Sequence, residues 1–207
     1  MKLNQIGRSM VEMIGVLAII GVLSVGAIAG YSSAMMKYKL NKQAQQFTTI
    51  INLMSRHTQS FEGTANGTQL LPLFIKMGEI PNEMIKSGNT AIYDVFNTKI
   101  TMNYQRDTDI QYLIMMTYPE ISKSSTNNLE ICKNIIVTAK ENSANIRTLQ
   151  TIGTSEGVQK YTFIYGDAHC NGNNRCLRNI SLDDIYTVCT VNLNKEGTHL
   201  KIVWTAL

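Results

Sequence analysis

The chain has 207 residues, 44% of them apolar and 16% charged, which suits one globular domain with a real core plus an N-terminal segment. Its net charge of +4 is modest and gives no basis for nucleic-acid binding, which needs basic residues gathered on one face. The four cysteines form an even set, and in an exported chain such a set favours disulfides over metal or redox chemistry.

The first element in chain order is an apolar helix. From Met13 to Tyr31 nineteen residues pass without a charge. At ~1.5 Å per residue, a helix of that length spans most of a ~30 Å hydrocarbon layer. Glu12 stands alone at its start, and a carboxylate there costs several kcal/mol to bury unless something pairs with it. Beyond Tyr31, apolar residues recur at Met36, Leu40, Ala44, Phe47, Ile51 and Met54, which is one helical stripe. No proline interrupts residues 8–60. These features predict one helix of about fifty residues. Its part 8–31 is apolar all round, and its part 32–60 is amphipathic and packs its stripe on residues 61–207. Lys37, Lys39 and Lys42 gather just past the apolar run.

Small and polar residues from Ser60 to Gln69 end that helix. A short helix over Leu70–Met77 stops at Gly78, a good C-terminal cap. Ile80-Pro81 forces an extended step, and Asn82–Lys86 makes another short turn. Thr98–Tyr104 alternates as a strand, with Ile100, Met102 and Tyr104 on one face. Ile110–Tyr118 is a nearly continuous apolar strand. Ser125–Lys140 reads as a helix with Leu129, Cys132, Ile136 and Ala139 on one side. Lys160–Tyr165, Tyr186–Leu193 and Leu200–Thr205 read as further strands, the last two joined by a hairpin loop at Asn194-Lys195-Glu196-Gly197. Four cysteines allow three pairings. The favoured one joins Cys170 to Cys176 across a small polar loop and ties Cys132 to Cys189.

The residues Gly7-Arg8-Ser9-Met10-Val11-Glu12 and the apolar run after them resemble the processing site of type IV prepilins and pseudopilins. In that family a short leader ends in glycine, and the fifth residue after the cut is glutamate. The resemblance implies that a prepilin peptidase cuts after Gly7, releasing leader 1–7, and that Arg8 becomes a new N-terminus whose amine is often methylated. It implies that Glu12 neutralises the N-terminal amine of a neighbouring copy as copies stack. Each buried charge is costly alone, and pairing them offsets much of that cost. Gly21 falls where many members also carry glycine.

The stretch 70–97 resembles the segment after the long helix in type IVb pilins, and a Cys132–Cys189 bond fits the placement of a disulfide there. The implied fold is α+β: a long N-terminal helix, apolar then amphipathic, packed on a small antiparallel-sheet head. The implied role is structural, in a type IV pilus or related filament. The implied partners are the peptidase, other copies of itself or related pilins, an inner-membrane assembly platform and a separate assembly ATPase. The implied location is the bacterial inner membrane, crossed once with the head outside the cytoplasm, and then an extracellular or periplasmic filament. A pseudopilin of a type II secretion machine is the alternative within the class.

Two plainer readings stand beside this one. Ser9-x-x-Glu12 is a capping box, which would start a helix there. Lys2 and Arg8, the apolar core and Ala27-Ile28-Ala29 also match a secretory signal peptide, which would release a soluble disulfide-bonded binding domain from Gly30. Against the latter stand Glu12 and the run's continuation into a patterned helix.

Enzymatic motifs are absent: there is no phosphate loop, no Gly-x-Ser-x-Gly and no H-E-x-x-H. Asp167-x-His169-x-Asn171 is a poor calcium loop, because Arg178 stands where a glutamate is needed. His169 beside Cys170 and Cys176 lacks a fourth zinc ligand. His57 and His199 are isolated. No enzyme activity, metal or cofactor is expected.

Overall fold

A computed structural model describes residues 6–58, 60–61, 63–86, 88–107, 110–118, 126–155, 158–172, 174–192 and 199–205. The chain divides into two compact units, Met1–Lys39 and Leu40–Leu207. Helix α1 runs Ile6–Arg56 over 51 residues, as its lack of proline and its continuous pattern dictate. Among the described residues it starts at Ile6, so the backbone of Ser9 lies inside the helix.

In the second unit, α1 turns a stripe inward at Gln43, Gln46, Phe47, Ile50, Ile51, Leu53 and Met54. Phe47, Ile51 and Met54 fall on the stripe read from the sequence. Met36, Leu40 and Ala44 are only half-buried. The short helix α2, Leu71–Lys76, carries Pro72 in its first turn, where a missing N–H costs nothing. It ends in a Schellman arrangement. Gly78, at φ +74°, donates from its N–H to the Ile75 carbonyl, and Glu79 donates to that of Phe74. A 3-10 turn at Asn82–Met84 follows.

Among the described residues six antiparallel strands make one sheet: β1 Ile92–Tyr93, β2 Lys99–Asp107, β3 Ile110–Tyr118, β4 Thr148–Ser155, β5 Val158–Tyr165 and β6 His199–Thr205. Their spatial order is β1-β2-β3-β6-β4-β5, so the last strand enters the middle. One rung crosses the sheet through Met102, Met115, Ile202, Leu149 and Ile164. Ile100, Met102 and Tyr104 of β2, Leu113 and Met115 of β3, and Leu149 and Ile164 all face the core. That core also takes Phe47, Ile50, Ile51 and Met54 from α1, and Cys132, Ile135, Ile136 and Ala139 from α3, Thr126–Glu141. On β3 Ile114, on the opposite face, is buried as well, which accounts for the unbroken apolar run of a central strand.

The segment Tyr186–Leu193, expected as a strand, is helical as far as it is described. Helix α4, Leu182–Thr187, continues into a π-helical turn at Val188–Asn192. Ser181 starts it with a capping box: its Oγ accepts the Asp184 N–H at 3.0 Å, and the Asp184 carboxylate accepts the Ser181 N–H at 3.3 Å. The β-branched residues of that stretch suggested a strand, but the cap and the bond from Cys189 to α3 outweigh so weak a preference. The expected hairpin loop at Asn194–Gly197 lies outside the described residues. β6 takes β3 and β4 as its neighbours, so no hairpin with the preceding segment forms. Strands β1 and β4 escaped the sequence reading. The first is two residues long, and on β4 threonine, glutamine and glycine break the alternation.

Candidate assembly segment and the seat of the helix

The apolar half of α1 is solvent-facing on every side. Leu17, Val22, Val25 and Ile28 are each more than 60% exposed. A methyl group added at Gly15, Gly21, Gly26 or Gly30 would meet nothing within 4 Å. Ser24, the one hydroxyl between Met13 and Gly30, donates to the Ile20 carbonyl at 2.7 Å, so it carries no unmet polar group into an apolar medium. Among the described residues, this is the one helix long and apolar enough to cross a membrane. Glu12 lies in it, with its side chain on the surface. Gly7 and Arg8 belong to the helix backbone.

In the second unit the helix sits in a polar seat that the sequence reading missed. Gln43 is fully buried, and its Nε2 donates to Asp94 Oδ2 at 2.6 Å. Its Oε1 accepts from Asn134 Nδ2 of α3 at 2.9 Å, and the same amide reaches the Leu40 carbonyl at 2.8 Å. Gln46 Oε1 accepts the Val95 N–H at 3.0 Å. Asp94 Oδ1 in turn accepts the N–H groups of Phe96 and Thr98 at 2.9 and 2.7 Å, which folds the β1–β2 connection into an Asx turn. Asn97 completes that turn at φ +66°, a conformation asparagine tolerates.

Burial pushes the Asp94 carboxyl above its usual range, against the hydrogen bonds from Gln43 and the two N–H groups. Lys42 Nζ lies 2.6 Å from Glu83, and the hydrogen bond from Lys42 lowers the Glu83 carboxyl. The available signal was two glutamines at i and i+3 on an otherwise apolar stripe, since buried amides require partners.

Two disulfides brace the second unit. Cys132 of α3 bonds Cys189 of the π-helical turn at 2.01 Å, both sulfurs buried. Cys170 bonds Cys176 at 1.96 Å, closing a loop in the connection from β5 to α4. Arg175 of that loop reaches Asp184 at 3.2 Å, and Asp184 is the partner of Ser181 in the capping box that starts α4. Its carboxyl is held low, first by the hydrogen bond from the Ser181 hydroxyl. Ser143 donates to Asp167 Oδ2 at 3.0 Å. His169 is lowered by burial and by the charge of Arg147. Among the described residues no group of three or more His, Cys, Asp or Glu side chains is placed to hold a metal ion. Gly166 is where two backbones touch: a Cβ there would lie 1.6 Å from the Ile146 carbonyl oxygen.

Fold and site together define an α+β protein with two disulfides and an N-terminal helix able to cross a membrane. No family model matches the chain, and neither the curated proteins nor the solved structures offer a match.

Proposed function

We infer that the protein is a structural subunit of a type IV pilus or related filament, held in the membrane as a precursor by α1 and cut after Gly7. The observation that carries this reading is the bare apolar helix headed by Glu12. A helix with apolar side chains on every side and an acid at its start suits first a bilayer and then a bundle of like helices. In such a bundle Glu12 meets the amine that cleavage frees on Arg8 of the next copy, and one stagger alone brings the two charges together. The helix also runs on through Ala27, Ile28 and Ala29 to Arg56. That supports use of the whole helix over release of a domain at Gly30. In this reading assembly energy comes from a separate ATPase, since the sequence carries no phosphate-loop motif.

Mass spectrometry of the mature chain tests the reading. The expected N-terminus is Arg8, and one at Gly30 rejects it. In the same cells, Glu12→Ala leaves insertion and head folding intact while filament yield collapses. Normal filaments from that variant would remove the proposed role of the acid.

A further inference from the structure

Two apolar patches lie at opposite edges of the sheet. On β5, which ends the sheet on one side, Tyr161, Phe163 and Tyr165 share the face turned away from the core. Their rings stack in sequence with centroids 6.5 Å apart, and Tyr161 and Phe163 are 49% and 46% exposed. At the other side, residues 67–70 pair with β2 through the Gln69–Asn103 bridge and the Leu70 N–H on the Met102 carbonyl. They lead straight into α2. Its Leu71 and Phe74 go into the core, which leaves Leu73 and Met77, one turn apart, 45% and 50% exposed. Four strand spacings of ~4.8 Å put about 20 Å between β2 and β5.

We propose that the β5 aromatic row of one copy packs on the Leu73–Met77 patch of α2 in the next. The inference rests on the filament reading above. A foreign partner needs one patch, and a two-fold dimer uses one patch twice. Two apolar patches on opposite edges give the head-to-tail contact that lets copies add without closing. Area points the same way. At half exposure each ring offers on the order of 100 Å², since a whole aromatic side chain buries ~150–250 Å². The row is thus far below the ~800 Å² per side of a standard interface between separate proteins. A contact that small holds only between copies already tethered by something else, where the effective concentration is high. The proposed bundle of α1 helices supplies that tether. The other exposed apolar pair, Leu182 and Tyr186 on α4, cannot serve as the opposite pole. Its helix runs into the π-helical turn that packs on β4, the neighbour of β5.

The test uses the full chain in the cells that make it. All four natural cysteines are bonded, so an introduced thiol is the sole reactive one. Two differently tagged chains, Phe163→Cys and Leu73→Cys, are produced together and treated with a short membrane-permeant bismaleimide. The mixed pair is expected to cross-link, and either variant alone to cross-link poorly. Adding Tyr161→Ser to the first chain should lower the linked fraction about tenfold, the loss of one good aromatic contact. Efficient linking of Phe163→Cys to itself, or to Leu182→Cys in place of Leu73→Cys, overturns the proposal. Val22→Cys in α1 reports assembly through the helix. If it links copies while the head pair does not, the head contact is wrong and the filament reading survives. If neither links, both fall.

Discussion

Asp94 is the side chain on which the seat of α1 depends. Three donors converge on it: Gln43 Nε2 and the N–H groups of Phe96 and Thr98. Asp94→Ala leaves them buried without an acceptor, and such groups cost roughly 1–3 kcal/mol each, relieved in part by relaxation. A net loss of about 2–4 kcal/mol at neutral pH is the expectation, measured by urea unfolding of the full chain in detergent. The pH dependence carries a sign. Burial raises the Asp94 carboxyl above its ordinary value of 3.8 in the folded chain. The protonation-linked part of its contribution to stability is therefore full below 3.8 and is lost as pH rises through the raised folded value, while the hydrogen-bonded part remains. The gap between the natural chain and Asp94→Ala should widen on acidification through that window. A gap that narrows would mean that the hydrogen bonds outweigh burial and that the carboxyl is in fact held low.

Helix α3 and the α4 turn illustrate how elements are held when their own preferences are weak. Six residues of α4 form no stable helix alone. Its capping box and the bond from Cys189 to Cys132 hold it in place. The two disulfides close loops of 57 and 6 residues by sequence separation. Loop-closure entropy puts their contributions at about 4 and about 2 kcal/mol. Cys132→Ser should therefore lower the unfolding free energy clearly more than Cys170→Ser, and it should also expose α4 to amide exchange. Equal losses from the two variants would show that the short loop has a packing role beyond its covalent closure. Arg175, which joins that loop to the cap of α4, is the residue to examine in that event.

Across the whole molecule, the apolar side chains of α1 before Lys39 and the buried core after Leu40 belong to different compact units. The core cluster draws on α1 only from Phe47 onward. A chain that begins near Tyr31 keeps that cluster and loses the bare apolar surface. It is expected to be a soluble monomer by light scattering, with both disulfides formed. Filaments from this truncated chain alone would contradict the assignment of assembly to the N-terminal helix, and aggregation through lost core packing would contradict the division into units. The aromatic row on β5 would remain exposed in it, too small to hold a dimer by itself.

Pattern in the sequence determined much of this protein. The nineteen-residue apolar run, the stripe through Phe47, Ile51 and Met54, the strand at Ile110–Tyr118 and the alternation of Ile100, Met102 and Tyr104 all follow from local periodicity. Gly78 stops α2 for an equally local reason, because the stop needs a positive φ. Long-range partners settled the rest. Tyr186–Asn192 is as β-branched as a strand, and only its cap and its tie to α3 keep it helical. β4 carries threonine and glutamine in place of a clear alternation, and becomes a strand because β6 and β5 flank it. The seat of the helix lies furthest from view in the sequence. Asp94 and Asn134 lie 51 and 91 positions from Gln43, and each is an ordinary polar residue until the fold buries Gln43 and Asp94 and sets Asn134 against Gln43. Periodicity reports which face of an element is apolar, whereas a buried hydrogen bond depends on which distant group the chain brings opposite, and that is decided only by tertiary packing.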